Sequence, residues 1–510
     1  MTMTLSRFSA PLLVALFSCS GAGAQDNAPS PAPASFTRPA QSLIGDVPPP
    51  PPPAELTLET CIARALQKNF DLEIGRFNPQ IAKNSIDLAQ GSYDPLVTVS
   101  GSHGRSTLGA TPSSAATSSD LRVGVSQQLY SGTTLSASSK LDRSATNPSI
   151  ATLNPAYNAD LTLSVRQNLL SGSSTEVNKA NLHRAEIGLS RANLDFKAVA
   201  LSVIQSTENA YYNLAFAREQ LTVRVSSLAL ATRLYDEAKV RRDTGVATDL
   251  DVLSAEVGVA NARRNVILAE QAAKDRQDAL LALIGQFELD GAVGSVLFTN
   301  IGEATPVLAS SFQMAKQSQP DYLSSQAAIA QLKLDLVVAK DSTKPDLSVG
   351  AALGLSGRNG SGTDAFGDVL DRQNHSWQVD FSFSYPWGQK SDKARYRQSL
   401  ATLSREEIRL RQIEQNIEVQ VRSAVRSVAT NVESVKIATL SSGLSLKQYE
   451  LEKARFDAGL STSYRVLQAQ SDLDTARVNE LQAKVTLRTA IAALHRIEGS
   501  SLQRYGIALP

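Results

Sequence analysis

One stretch of this chain occurs twice. YDEAKVRRDTGVATDLDVLSAEVGVANARRN from Tyr235 aligns without a gap with YELEKARFDAGLSTSYRVLQAQSDLDTARVN from Tyr449, an offset of 449 − 235 = 214. Gly285 and Gly499 close both copies. A weaker match joins ARALQKNFDL near Ala63 to QMAKQSQPDYL near Gln313, and sets AQGSYDPLVTV from Ala89 on AKDSTKPDLSV from Ala339 at an offset of 339 − 89 = 250. Internal repetition narrows the choice of fold sharply, because each copy must build the same unit. The chain reads as a tandem duplication with 250 − 214 = 36 extra residues in its first half, between Pro95 and Tyr235.

Each half has the same predicted order. A helix of roughly 35 residues (56–90; 306–340) is followed by a Gly/Ser-rich alternating region, a long helix, a Gly-marked turn and a last helix. From Ser173 to Thr244 there is no proline and one glycine, Gly188, and from Gln389 to Ala458 again no proline and one glycine, Gly443. Apolar residues recur every three or four positions, as in Leu194, Val199, Leu201, Ile204, Tyr211 and Leu214. About 70 residues at 1.5 Å each make a rod on the order of 105 Å. A narrow apolar stripe of that length is buried only against other such helices, as in a coiled coil. The alternative is that each run breaks into shorter helices of an ordinary bundle, but clear breakers are missing.

The ends add a second constraint. Arg7, an apolar run from Pro11 to Phe17 and Ala22-Gly23-Ala24 read as a secretory signal over 1–24. A lipoprotein signal that modifies Cys19 is the rival reading, with the bulky Phe17 standing against it. Residues 25–54, Pro/Ala-rich and ending in VPPPPPPA, cannot bury a core and read as an extended linker. The first repeat is placed at 55–300, the second at 301–500 and a C-terminal tail at 501–510. Removal of the signal leaves Cys61 as the sole thiol, so no intrachain disulfide is expected. No later segment reaches the roughly 18 consecutive apolar residues of a spanning helix. If the chain enters a membrane, it does so as strands.

Between the helices the pattern alternates with a period of two. Strands are expected at 95–105, 119–130, 133–143 and 158–170 in the first half and at 347–356 and 376–387 in the second. The clearest is HSWQVDFSFSYPWG, in which Trp377, Phe381, Phe383, Tyr385 and Trp387 alternate with Gln378, Asp380, Ser382 and Ser384, in a chain only 5% aromatic. A sandwich strand alternates too. The signal, the strand length of roughly 10 residues, the small residues on the polar side and the aromatic strand ends favour a transmembrane barrel. Trp377, Phe381 and Phe383 are thereby assigned to lipid, and Tyr385 and Trp387 to the interfacial belt. Six strands cannot enclose a useful lumen, since about eight already fill their own interior. Several chains must share one barrel.

Helix, strands, long helix, turn and helix, repeated behind a signal, resemble the TolC outer-membrane efflux protein family. The opening LTLETCIARALQKNFDL is similar to that family's entry into its first helix, and Gly245-Val246-Ala247-Thr248 and Gly459-Leu460-Ser461-Thr462, each followed by Val-Leu and Ala, are similar to its hairpin tips. The resemblance covers about 56–499. It implies a mixed α and membrane-β fold: a long-helix coiled-coil tunnel in the periplasm and a shared outer-membrane barrel, formed by a homotrimer. It further implies that the eight tip residues contact a periplasmic adaptor protein, that an inner-membrane pump is the second partner, and that cargo leaves by efflux or type I secretion. On the bare residues, the tip glycines serve equally to end helices in a left-handed conformation. The family often carries a carboxylate six residues past each tip glycine; Asp251 fits, whereas Arg465 departs, as does Gln468 at a second such position. Asp251 and Arg465 of neighbouring hairpins either pair and hold the tunnel closed or are two unrelated solvated charges. The family's barrel shares 12 strands; the extra hairpin, centred on SQQLYSGTTLSAS, either widens it toward 18 or folds outside it.

Little else points to chemistry. His103, His183, His375 and His495 have no ligand-like spacing, there is no P-loop or G-x-S-x-G, and neither an enzyme nor a cofactor is expected. A formal charge of +1 without a basic patch argues against nucleic acid, and none is expected as a partner. Two alternatives to an exit duct stay open: an exported coiled-coil scaffold and a stand-alone porin.

Overall fold

The structure is a computed structural model, and it describes residues 56–108, 114–147, 152–285, 306–372 and 374–507. The signal and linker expected over 1–54 lie outside these.

The first repeat begins with α1 (Leu58–Lys68) and α2 (Phe70–Gly91), continues through β1 (Leu96–Leu108), β2 (Ser114–Gln128), β3 (Thr133–Asn147) and β4 (Ala156–Asn168), and closes with α3 (Thr175–Asn178), α4 (Ala180–Asp243) and α5 (Asp249–Leu283). The second runs α6 (Leu308–Ser318), α7 (Pro320–Asp341), β5 (Asp346–Asn359), α8 (Gly362–Leu370), β6 (Asn374–Ser384), α9 (Lys390–Asp457) and α10 (Ser463–Glu498), and α11 (Ser501–Arg504) follows.

The single 35-residue helix expected at the start of each repeat is a helix pair instead. Asn69 caps the second member, its Oδ1 accepting from the N–H of Asp71 at 2.9 Å and of Leu72 at 3.4 Å. At the equivalent point Gln319 is extended and Pro320 occupies the first helical turn, where its missing N–H costs nothing. An apolar period continues across such a break, so periodicity alone does not reveal it.

The long helices are unbroken. α4 has 64 residues and α9 has 68, so α9 spans about 100 Å at 1.5 Å per residue. α4 packs against α5 and α9 against α10, and α4 also touches α2, α7 and α10, which joins the repeats. The core is accordingly distributed in clusters along the helices. Ile204, Tyr211 and Leu214 meet Ile62, Leu72, Leu280 and Ile284 in the largest. Ala315, Tyr322, Ile417 and Val421 form another, and Val428, Leu487, Ile491 and Leu494 a third. Burying each large aliphatic side chain contributes about 1.5–3 kcal/mol. Cys61 is buried in the first cluster and free, and Leu502 of α11 closes the same cluster.

Among the described residues six strands lie in one antiparallel sheet in the order β1-β2-β3-β4-β5-β6. The expected strand positions are met with shifted ends: β2 starts earlier and β3 runs to Asn147, while β6 stops at Ser384, which leaves Tyr385 and Trp387 just beyond it. The offset of 250 sets β5 on β1, and 214 sets β6 on β4. The additional 36 residues are therefore the hairpin β2–β3, and it is part of the sheet. In the second repeat α8 occupies the corresponding connection. It packs Ala365 and Val369 over Leu141, Ala159, Leu161 and Leu355. Gly357 permits this seat, because a Cβ there would strike the carbonyl of Ala365. No helix is expected at α8 from the sequence pattern.

Candidate functional site

Two regions hold the residues singled out from sequence: the helix-hairpin tips and the faces of the sheet. At the tips, Gly245 and Gly459 take φ of 78° and 77°. The N–H of Gly245 donates to Arg242 O at 2.8 Å and that of Val246 to Arg241 O at 2.8 Å; Gly459 and Leu460 repeat this to Phe456 O at 3.0 Å and Arg455 O at 2.7 Å. These paired bonds are a Schellman end, and a side chain on either glycine would cost about 1–2 kcal/mol. The two turns thus have one geometry.

What the turns present is apolar. Val246 is 77% exposed and Leu250 70%, and at the equivalent positions Leu460 is 72% and Tyr464 66% exposed. Leu250 and Tyr464 lie outside the expected tip segments and are equivalent under the repeat offset, 464 − 250 = 214. The tips are braced against each other, the Arg241 guanidinium lying 3.9 Å from the Phe456 ring centroid. Phe456 in turn packs with Leu234 and Val466. Cation–π contacts of this kind contribute about 0.5–2 kcal/mol.

Behind the tips the repeats diverge. Thr248 and Asp251 close a capping box: Asp251 Oδ2 accepts from the Thr248 N–H at 2.9 Å and hydroxyl at 2.7 Å, and the Asp251 N–H donates to Thr248 Oγ1 at 3.3 Å. The Thr248 backbone bond first, and its hydroxyl second, hold the Asp251 carboxyl below the usual carboxylate range. Arg465 stands where Asp251 would be and has no carboxylate to accept from the Thr462 N–H, and the Thr462 side chain makes no cap bond. Gln468 donates to Asp472 at 3.0 Å. Among the described residues no ion pair links Asp251 to Arg465 within the chain. Ser461 donates to Glu452, which also pairs with Arg455 at 3.3 Å.

At the sheet, register places the apolar residues on one face. Val97 faces Val125, Val99 faces Val123, Leu163 faces Leu353, Val349 faces Phe381 and Leu347 faces Phe383. Trp377, Val379, Phe381 and Phe383 are all exposed there. Near the strand ends that join the helices lies an aromatic group. Tyr93 and Tyr130 have ring centroids 4.4 Å apart, and Tyr385 and Trp387 6.5 Å apart, with Trp387 97% exposed.

The other face is polar and charged. Lys140 pairs with Asp142 at 2.9 Å, and Arg166 on β4 reaches across β5 to Asp380 on β6 at 2.9 Å. Gly350 lies between them in register, and a Cβ there would collide with the Asp380 carboxylate. That cross-strand bridge was invisible in sequence because its partners are 214 residues apart and need a glycine between them.

Among the described residues no cluster of His, Cys, Asp or Glu is placed to hold a metal ion, and no helix is long and apolar enough to cross a membrane. The geometry consists of apolar turns at one end of each long hairpin and an amphipathic sheet with an aromatic border at the other.

Residues 135–286 and 312–500 match the family described as outer membrane efflux protein. The chain is 22% identical over 329 residues to the pyoverdine export outer membrane protein OpmQ of Pseudomonas putida, a match that covers 62% of this chain and spans 65% of the length of that relative. Among solved structures, the outer-membrane channel OprN superposes with a TM-score of 0.65 at 19% identity, over 88% of this chain and 90% of that one. The CmeC outer membrane channel of Campylobacter jejuni gives 0.65 at 18% identity, over 87% and 85%. The MtrE outer membrane channel of Neisseria gonorrhoeae gives 0.64 at 16% identity, over 87% and 89%. These likenesses establish that the fold is that of outer-membrane channels.

Proposed function

Because the chain belongs to the outer membrane efflux protein family, we propose that it is the outer-membrane exit duct of a tripartite efflux or type I secretion system. Three copies assemble, their sheets in the outer membrane and their helices in the periplasm. The duct is passive and not an enzyme: cargo is handed to it by an inner-membrane pump through a periplasmic adaptor protein, and the pump supplies the energy. The pyoverdine export named for the Pseudomonas putida relative supports an outward direction of transport.

The observation that carries this reading is the pair of hairpin tips. Val246 and Leu460, and Leu250 and Tyr464, are large apolar side chains exposed at equivalent points of two turns of one geometry. Solitary exposed apolar residues need no explanation, but a repeated set on facing turns suits a partner. In this reading Gly245 to Thr248 and Gly459 to Thr462 form the adaptor contact. Trp377, Phe381 and Phe383 face lipid, with Tyr385 and Trp387 in the belt on the periplasmic side. The double variant Val246→Asp with Leu460→Asp tests it: at about 1.4 kcal/mol lost at each of the two tips, adaptor binding falls about a hundredfold while the trimer still forms. Unchanged adaptor binding contradicts the docking role.

The gate is proposed at the same turns. Asp251, kept anionic by its capping box, and the exposed Arg465 of a neighbouring hairpin pair across the trimer, with Gln468 one turn further on. Each pair contributes about 1 kcal/mol or less, repeated by the threefold axis. Arg465→Asp raises closed-state conductance in planar bilayers; a conductance equal to that of the unaltered channel removes the latch.

A further inference from the structure

The six-stranded sheet has two open edges, and they fit each other. Among the described residues β1 is bonded only to β2, and β6 only to β5. All five existing pairings are antiparallel, so β1 and β6 run in opposite directions, and β6 of one copy can receive β1 of the next in the same kind of ladder. The edges are also matched in polarity. Val97 and Val99 on β1 and Val379 and Phe381 on β6 lie on the same face, and farther along β1 that face carries Gly101, His103 and Arg105. Val99 is 68% exposed where its inner partner Val123 is 41%, the difference being the flank that no strand covers.

An unpaired edge is a template for another strand, and inside a bilayer an unpaired edge is excluded, because every backbone polar group must find a partner without water. The occupant is a second copy of this chain. We infer that three copies close edge to edge into a barrel of 3 × 6 = 18 strands, in which the hairpin β2–β3 is a full part of the wall. The inference rests on the trimeric exit duct proposed above and deepens it. β2 and β3 are held between β1 and β4 by complete ladders, from Leu96↔Ser126 to Thr133↔Gln167, so the hairpin cannot fold outside the wall without breaking both.

The consequence is a wide exit. Barrel diameter grows roughly in proportion to strand number, and 16 to 18 strands leave an aqueous channel. Eighteen strands give a mouth about one and a half times as wide as twelve. The wall that faces this lumen carries both signs of charge. Arg122 stands opposite Lys140, Asp120 opposite Asp142 in the adjacent row, and Arg166 bridges to Asp380. Rows of opposite sign alternate along the wall and leave little net field, so the barrel discriminates by size more than by the sign of the cargo.

The test is electron cryomicroscopy of the full chain, expressed in an outer membrane and purified in detergent. A threefold ring of 18 strands with β6 against the neighbour's β1 is the expected result. A threefold ring of 12 strands with β2–β3 outside overturns the inference and leaves the exit duct standing. A ring of two copies also overturns it, and a particle with no closed ring overturns both it and the duct.

Discussion

Single residues in this protein are asked to serve the helix before they serve the channel. Asp251 was expected at the gate from its position after the tip glycine, and the structure finds its carboxylate closing a capping box with Thr248. The sequence signal Thr-x-x-Asp was present, because an N-cap threonine followed by an acid three residues on is itself a helix start. A different cluster was not legible at all. Tyr505 donates to the buried Glu208 from 297 residues away, and Arg504 approaches Nε2 of His495 at 2.7 Å. Burial foremost, and the charge of Arg504 second, bring the His495 pKa from 6.5 down to about 4. The folded protein thus refuses a proton that the unfolded chain accepts at 6.5. This contribution to stability is complete above pH 6.5, is lost as pH falls toward 4, and amounts to on the order of 3 kcal/mol. Burial raises the pKa of Glu208, so its contribution has the opposite sign and is lost as pH rises. Unfolding in detergent, followed by helix circular dichroism, shows a shallower loss of stability between pH 6.5 and 4 in His495→Gln than in the parent; identical slopes would remove His495 from the account.

At the scale of elements, strong periodicity was readable and its interruptions were not. The absence of proline over 70 residues announced α4 and α9, and alternation announced all six strands. The breaks at Asn69 and Gln319 were missed because capping Asn and N-terminal Pro leave the apolar period intact on both sides. α8 was missed for another reason: GTDAFGDVL is nine residues long, and short helices are set by packing more than by propensity. Its seat depends on Gly357, whose need for a bare Cα is a tertiary fact. The strand ends were shifted because hydrogen-bonded ladders extend past the apolar band: β3 continues through Arg143 to Asn147 on pairing alone. The side chains at those positions no longer alternate by polarity, so the pattern gave no sign of them.

For the whole molecule, duplication supplied most of the architecture. The offset of 214 located both tips and paired β4 with β6, the offset of 250 paired β1 with β5, and their difference located the inserted hairpin. Neither offset could say whether the hairpin joined the sheet, since that depends on ladders between strands that have no counterpart in the second repeat. In an exit duct the tips and the β5–β6 connection lie on opposite sides of one membrane, and thiol labelling tests this most directly. In a chain whose native cysteines are replaced by serine, a cysteine is placed either at Thr363, exposed on α8, or at Val246, exposed at a tip. Intact cells are then treated with a maleimide too polar and too large to cross the outer membrane. Labelling of Thr363→Cys in intact cells, with labelling of Val246→Cys only after the outer membrane is permeabilised, is the result an exit duct requires. Equal labelling of both, or of neither until permeabilisation, would mean that the chain does not cross the membrane as described.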